Sequence, residues 1–330
     1  LTPAAGLPQM ARMTTPINPP PVPLPPKLVI GSRGSPLALA QAEEVRDRLV
    51  AAYPPLAESG RVTIETIKTT GDRITDRPLA ELGGKELFTK EIEDALLVGR
   101  IDIAQHCLKD LPTEQPPGLA VAAMLPREDP RDAFICPSAD SIDDLPKGAR
   151  LGTSSLRRSA FLKAHRPDLQ MVDLRGNVGT RLAKIERGEA DATILAVAGL
   201  KRLGQPERAR NPISMDIMLP SPGQGTIALE TRSDDEVIQA LLAPLACSAT
   251  TAASDAERAL LATLDGSCRT PIAALAEFAK GQLFLRAAIA RPDGSEILAD
   301  HDSGSPSDAA EMGQAVGERL RARAGPGFFG

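Results

Sequence analysis

Short apolar runs alternate along this chain with longer stretches whose apolar residues recur at helical spacing. Leu28-Val29-Ile30 reads as a strand, a Gly-Ser turn follows, and residues 36–50 carry a helical pattern opened by Ser35 as cap and Pro36 as first residue. A strand at 62–68, a helix at 88–98 closed by Gly99 and a strand at 102–106 continue the series. Strands alternating with helices are βαβ units, which predicts a mostly parallel sheet.

The same grammar repeats beyond Leu125. Leu151-Gly152 leads into Thr153-Ser154-Ser155 and a helix, residues 171–174 form a strand, the next helix ends near Gly188, and a strand at 192–196 closes the unit. Two successive units predict two similar lobes, with a cleft where their helix N-termini face each other. The C-terminal part reads differently: a helix at 253–264, the loop Asp265-Gly266-Ser267-Cys268, strands at 273–278, 283–290 and 297–299, and a helix at 307–323. This predicts a small α+β domain, with a frayed end at 325–330. Residues 1–26 are rich in proline and nearly uncharged, which predicts a disordered or polyproline tail and order from near Lys27.

Composition narrows the function classes. At 330 residues the chain is too long for one ordinary domain, and 42% hydrophobic with 25% charged residues is a globular balance. No apolar run reaches the roughly 20 residues of a membrane helix. A net charge of −5 provides no global field for nucleic acid or anionic membrane, and 2% aromatics without Trp leaves little surface for stacking bases. Cys107, Cys136, Cys247 and Cys268 form no CxxC pair, so no zinc or thioredoxin motif is expected. Scattered thiols without a recognisable secretory signal predict a cytoplasmic protein.

Five clusters carry candidate chemistry. Gly31-Ser32-Arg33-Gly34-Ser35 lies between a strand and a helix N-terminus, where free N–H groups and the helix dipole favour an anion and Arg33 adds a bidentate clamp. It is not a Walker loop, because no Gly-Lys-Ser/Thr follows. Thr153-Ser154-Ser155-Leu156-Arg157-Arg158 occupies the equivalent turn of the second unit. Neighbouring helical arginines diverge by about 100°, so they grip two acids or bracket one large ligand. A third turn, Leu174-Arg175-Gly176-Asn177-Val178-Gly179-Thr180-Arg181, places Arg181 against the helix dipole unless an anion is near. Capping and solvated arginines explain any one of these turns. Three at equivalent positions favour a polyanionic ligand. In the fourth cluster, His106-Cys107-Leu108-Lys109-Asp110, Lys109 and Asp110 end a strand where parallel sheets bind ligands, and an ionised Asp110 suits proton shuttling or cation stabilisation. His106 reads as structural. The fifth is Cys268 beside Arg269, with covalent chemistry through a thiolate as one reading and a small core residue as the other.

In this order the clusters resemble the porphobilinogen deaminase, or hydroxymethylbilane synthase, family from about Leu28 to at least Ala290. The most specific matches are Gly83-Gly84-Lys85 with Leu87-Phe88, the run Arg127-Glu128-Asp129-Pro130-Arg131-Asp132-Ala133-Phe134, the Ser155 and Arg175 turns, the run from Ala196 to Leu203, and Pro222-Gly223-Gln224-Gly225. The resemblance implies an α/β fold of two type II periplasmic-binding-protein-like lobes, with mixed, mostly parallel sheets, plus a small C-terminal α+β domain. It divides the chain into a tail at 1–26, domain 1 at 27–125 and 226–243, domain 2 at 126–225, and domain 3 at 244–330.

The implied reaction joins four porphobilinogens head to tail with loss of four ammonias. It is primed on a dipyrromethane cofactor held by a thioether to Cys268, and water releases the product. By resemblance Asp110 is catalytic; Cys268, Lys85, Lys109, Arg157, Arg158, Ser155 and Cys107 bind the cofactor; and Arg33, Ser35, Arg175, Arg181, Arg202 and Gln224 bind substrate. A monomer is implied, with no nucleic-acid or membrane partner and no metal, and a transient handover of product to the next enzyme is left open.

Two positions depart from the family pattern. Cys107 replaces a serine, a weak donor in place of a hydroxyl, for which modestly altered cofactor affinity and a possible oxidation site are the expectations. Glu81 stands where some relatives carry lysine. The rival class is a two-lobed carboxylate-binding protein without chemistry, which has no use for Asp110 or Cys268; an inactive relative that keeps only ligand binding is the third.

Overall fold

The structure, a computed structural model, describes residues 22–73, 87–264 and 270–329. Along the chain come β1 (Leu28–Arg33), α1 (Pro36–Ala52), β2 (Val62–Ile67), α2 (Thr70–Arg73), α3 (Lys90–Leu97), β3 (Ile103–Cys107) and β4 (Leu119–Met124). Next are β5 (Asp132–Ile135), β6 (Arg150–Gly152), α4 (Leu156–His165), β7 (Gln170–Val172), α5 (Val178–Glu186), β8 (Ala192–Ala196) and α6 (Val197–Arg202). The last group is β9 (Ile227–Arg232), α7 (Glu236–Leu242), α8 (Ser248–Thr263), β10 (Ile272–Ala279), β11 (Gln282–Ala290), β12 (Ile297–Gly304) and α9 (Ala309–Ala324).

These strands form three sheets among the described residues, in the orders β2-β1-β3-β9-β4, β5-β8-β6-β7 and β10-β11-β12. In the first, β1 runs parallel to β2 and β3, and β9 runs antiparallel to β3 and β4. In the second, β6 is parallel to β7 and β8 while β5 is antiparallel to β8. The third is wholly antiparallel. The fold is α/β, with two lobes built on mixed, mostly parallel sheets and a separate C-terminal unit. The chain leaves the first sheet after β4 and rejoins it at β9.

Period-two burial explains why both faces of the first sheet are covered. Leu28 and Ile30 enter one core with Val45 and Leu49 of α1 and Leu241 of α7, while Val29 turns to the core of Ile92 and Leu96 on α3. On α1, Ala38, Gln41, Ala42, Val45 and Leu49 form a single buried stripe at helical spacing. In the third sheet Ala274, Ala276, Leu283 and Leu285 face α8 and α9, while Ala273, Leu275, Ala288 and Ala290 pack into the core of the second lobe. The C-terminal unit therefore rides on the second lobe.

Three strands escape the sequence pattern: β4, β5 and β9. Several boundaries move, among them the start of α8, expected at 253 and found at Ser248. The helix expected at 88–98 spans Lys90–Leu97, because Phe88 instead stacks on Arg33, 4.2 Å from guanidinium carbon to ring centroid. β12 extends to Gly304 by pairing with β11 along its whole length. At the C-terminus, the expected frayed end is corrected for residues 325–329: Phe328 is 2% exposed and packs edge-on against Phe329, with Arg291 over its ring. Order also begins before Lys27, since Leu24 packs on the first-lobe core and Pro25 O accepts from Arg61. Residues 1–21 of the expected tail lie outside the described residues.

Candidate active site

Each of the three arginine turns is set by a local cap. Ser35 Oγ accepts from Ala38 N at 3.2 Å, Ser155 Oγ from Arg158 N at 3.4 Å, and Asn177 Oδ1 from Thr180 N at 2.9 Å. A capping hydroxyl still has its own proton to donate, so Ser35 and Ser155 remain able to hydrogen-bond a carboxylate.

On the first-lobe side, β1 ends in Arg33, whose guanidinium pairs with Asp72, itself held by Thr69 Oγ1 at 2.8 Å. Burial opposes the charge on Arg33, but Asp72 and Asp110 outweigh it and push its pKa up. β3 runs into a 3-10 turn, Leu108–Asp110, that carries Lys109 and Asp110. The Asp110 carboxylate acts electrostatically on Arg33, on Cys107 and, from the other lobe, on Arg181.

Arg157 and Arg158 sit differently from the sequence picture of two diverging arms. They are 5% and 6% exposed and close on one acid, Asp132 of β5, with Arg157 Nη2 and Arg158 Nη2 each 2.6 Å from its two oxygens. Arg157 Nη1 also donates to Leu219 O at 2.7 Å and Arg158 Nη1 to Ile194 O at 2.9 Å. Burial pushes the Asp132 carboxyl up, but the two guanidinium groups outweigh it and hold it well below the ordinary range.

Gln224 joins the lobes. It is 1% exposed, its Oε1 accepts from Lys109 Nζ at 3.2 Å, and its Nε2 donates to Asp132 Oδ1 at 3.0 Å and Pro130 O at 2.7 Å. A continuous polar line thus runs from Lys109 of the first lobe to Arg157 and Arg158 of the second. Arg202 on α6 bridges the lobes beside it, donating to Glu44 of α1 and to Gly225 O, both at 3.1 Å. Gly225 has φ +93°, and a Cβ there would lie 2.4 Å from Glu128 O, so only glycine lets the two connecting strands meet.

Arg181 donates to Gly176 O at 2.9 Å and approaches Ser154 Oγ at 3.5 Å. Burial, with Arg158 and Arg175 nearby, brings its pKa down to about 10. At neutral pH it stays protonated, and the nearby cations favour an added anion. Arg175 lies 3.9 Å from Asp173. Cys107 Sγ donates to Gln41 Oε1 at 3.1 Å, and burial, followed by Asp110, pushes its pKa up, so the thiol stays protonated. A protonated thiol oxidises more slowly than a thiolate. Lys85, Cys268 and Glu81 lie outside the described residues.

Asp132, Glu257 and Asp72 were not read from sequence as functional. Glu257 of α8 is fully buried; it takes Arg127 through both oxygens at 2.6 and 3.1 Å, Gly223 N at 2.6 Å and Ala276 N at 2.8 Å. Its only sequence signal is one acid among the apolar positions of a helix. Asp132 stands in the Arg127–Phe134 run, where its density of charges before a strand was the available clue.

The fold is that of a two-lobed α/β protein with arginines on both lobes and the Asp110 carboxylate acting on Arg33 of its own lobe and on Arg181 of the other. Residues 28–240 match the family model described as porphobilinogen deaminase, dipyromethane cofactor binding domain, and residues 251–322 match porphobilinogen deaminase, C-terminal domain. The chain belongs to the porphobilinogen deaminase family, the hydroxymethylbilane synthases of tetrapyrrole biosynthesis.

It is 53% identical over 320 residues to porphobilinogen deaminase of Paracoccus denitrificans, covering 97% of this chain and 99% of that one. To the chloroplastic porphobilinogen deaminase of Oryza sativa subsp. japonica it is 52% identical over 304 residues, covering 91% and 85%. Among solved structures, a periplasmic substrate-binding protein of an ABC transporter from Coxiella burnetii aligns with TM-score 0.40 at 15% identity, covering 66% of this chain and 91% of that one.

Proposed function

We propose that this cleft condenses four porphobilinogens into hydroxymethylbilane as a transferase, with Asp110 as its acid–base residue and Cys268 as the cofactor anchor. The observation that carries the reading is electrostatic: the Asp110 carboxylate acts on Arg33 of its own lobe and on Arg181 of the other, where burial and the neighbouring Arg158 and Arg175 favour an added anion.

The residues fit a dipyrromethane cofactor. Arg158 Nε is buried without a partner among the described residues, and Arg181 is buried among cations, so donors remain for a polycarboxylate. Arg157, Arg158, Ser155, Lys109 and Lys85 would hold it, with Cys107 beside them; when bound, it supplies the pyrrole position at which growth begins. Arg33, Ser35, Arg175 and Arg181 clamp the acetate and propionate groups of incoming porphobilinogen. The amine of porphobilinogen leaves as ammonia from its ammonium form; the ionised Asp110 offsets the positive charge this leaves on pyrrole nitrogen, an interaction strengthened where the lobes exclude water, and accepts the proton released as the carbon–carbon bond forms. Gln224 and Arg202 have their polar atoms engaged between the lobes, so they act by setting the spacing of the two walls.

Part of the same reading is a monomer in a reducing cytoplasm, in keeping with free Cys107, Cys136 and Cys247, that hands its product to the next enzyme. The division into a first lobe at 27–125 and 226–243, a second at 126–225 and a third domain from 244 also belongs to it, supported by the return of β9 to the first sheet.

The test is the intact mass of protein made in cells that produce porphobilinogen, beside a Cys268→Ser variant. The expected excess equals two porphobilinogens less two ammonias in the wild type and is absent from the variant. Wild-type protein without added mass that also fails to consume porphobilinogen would overturn the reading.

A further inference from the structure

The turn that carries Asp110 is gripped from outside its own lobe. Its leading edge is fixed by Leu108 N donating to Thr226 O at 3.0 Å and by the Leu108 side chain, 1% exposed in a small cluster with Leu111, Met124 and Ala228. The trailing edge, Leu111-Pro112-Thr113, has no regular secondary structure to satisfy its carbonyls. All three converge on one side chain: Arg258 of α8 donates to Leu111 O at 3.4 Å, Pro112 O at 2.7 Å and Thr113 O at 3.0 Å. A guanidinium presents several donors in a fixed plane, which lets one residue hold three successive carbonyls where an ammonium would not.

Two further facts give this contact weight. Arg258 is largely buried, which opposes its charge, and its counter-charges are Asp255 on the same helix and the fully buried Glu230 of β9. Glu230 in turn contacts His106 Nε2 at 3.2 Å, at the end of the strand that leads into the Asp110 turn. Arg258 thus lies near the buried His106–Glu230 contact, which no step assigned to the cleft uses. Cys268 follows Arg258 by ten residues in the sequence. The helix that holds the aspartate turn is thus the element just before the proposed anchor in the chain.

We infer that Arg258 is a positioning residue for the reaction, fixing Asp110 relative to the domain that carries Cys268 by clamping the three carbonyls that follow it. This rests on the reading of Asp110 as the acid–base residue. Losing the clamp lets the turn shift with Asp110 while the arginines of the cleft stay in place. Misplacing a catalytic group by about 1 Å costs on the order of 100-fold in rate, and a partial shift costs less.

The experiment compares wild type, Arg258→Lys, Glu230→Gln and Asp110→Asn as purified holoenzymes, with cofactor occupancy read by intact mass and fold by melting temperature. For Arg258→Lys the expected result is unchanged occupancy, KM within about 3-fold and kcat per holoenzyme down by about 10-fold to 100-fold. Faster hydrogen exchange at the amides of 108–113 should accompany it. Glu230→Gln should show a smaller loss of the same kind. Wild-type kcat per holoenzyme in Arg258→Lys overturns the inference, as does a loss that only follows occupancy or melting temperature. Should Arg258→Lys fail to fold, Glu230→Gln decides alone, and failure of both means the contact is structural and the inference falls. Full activity in Asp110→Asn would instead overturn the reading of Asp110, separately from the clamp.

Discussion

Asp132 is the residue on which the second wall of the cleft depends. One carboxylate is shared by two buried guanidinium groups, so Asp132→Asn leaves Arg157 and Arg158 without their common counter-charge in a desolvated site. Breaking such a pair from one side costs about 3–5 kcal/mol, and the variant should show a lower urea midpoint together with poor cofactor loading. The pH dependence has a definite sign. Because the folded pKa is depressed, the stabilisation is fully present above the unfolded value of about 4 and drains away as pH falls below it toward the folded value. Acid unfolding followed by circular dichroism should begin at higher pH in wild type than in a variant whose triad is replaced by apolar residues. Cys107 makes the opposite case. Its thiol donates one hydrogen bond that a serine reproduces, so Cys107→Ser should keep kcat within about 2-fold. Alkylation by iodoacetamide at pH 7 should be slower at Cys107 in the folded enzyme than in the unfolded chain, as expected for a half-buried thiol held protonated.

At the scale of elements, the packing of α8 on α9 depends on a missing side chain. A Cβ at Gly313 would lie 2.0 Å from Ala256 O, a backbone atom with nowhere to go. Gly313→Ala should therefore lower stability by about 1–3 kcal/mol, read as a shift in denaturant midpoint. Because α8 also carries Glu257 and Arg258, the same change should reduce activity without touching the cleft. Elements with a strong period were legible from sequence: α1 through its stripe and its Ser35-Pro36 start, β10 and β11 through alternation. β4 was not, because Leu-Ala-Val-Ala-Ala-Met has small side chains, a bulge between Val121 and Ala123, and little β preference. β9 was hidden for a different reason: its pairing partners, β3 and β4, lie about a hundred residues upstream. In the site, the arginines were visible as types at turns, but their partners were not. Asp132, Asp72 and Glu257 reach them only through the tertiary fold, and spacing along the chain carries no trace of that.

The whole molecule is net negative at −5, yet the proposed cleft gathers Arg33, Arg157, Arg158, Arg175 and Arg181. The attraction for a dicarboxylate substrate is therefore local and is screened over a Debye length of about 8 Å at physiological salt. Raising ionic strength should increase KM for porphobilinogen while leaving kcat nearly unchanged, a split that steady-state kinetics in a salt series would show. A salt-independent KM would mean that the arginines are satisfied internally in the working enzyme.

The late return of β9 bears on how the protein is made. Among the described residues β4 has β9 as its sole neighbour in the first sheet, whereas every strand of the second sheet has been synthesised by Ala196. On the ribosome the second lobe can close first, while the first lobe waits with an unpaired edge until Ile227–Arg232 emerges. Nascent chains stalled before that point should show a protease-resistant second lobe beside a sensitive first one. The half of the cleft that bears Asp110 is then the part most exposed to chaperones during translation.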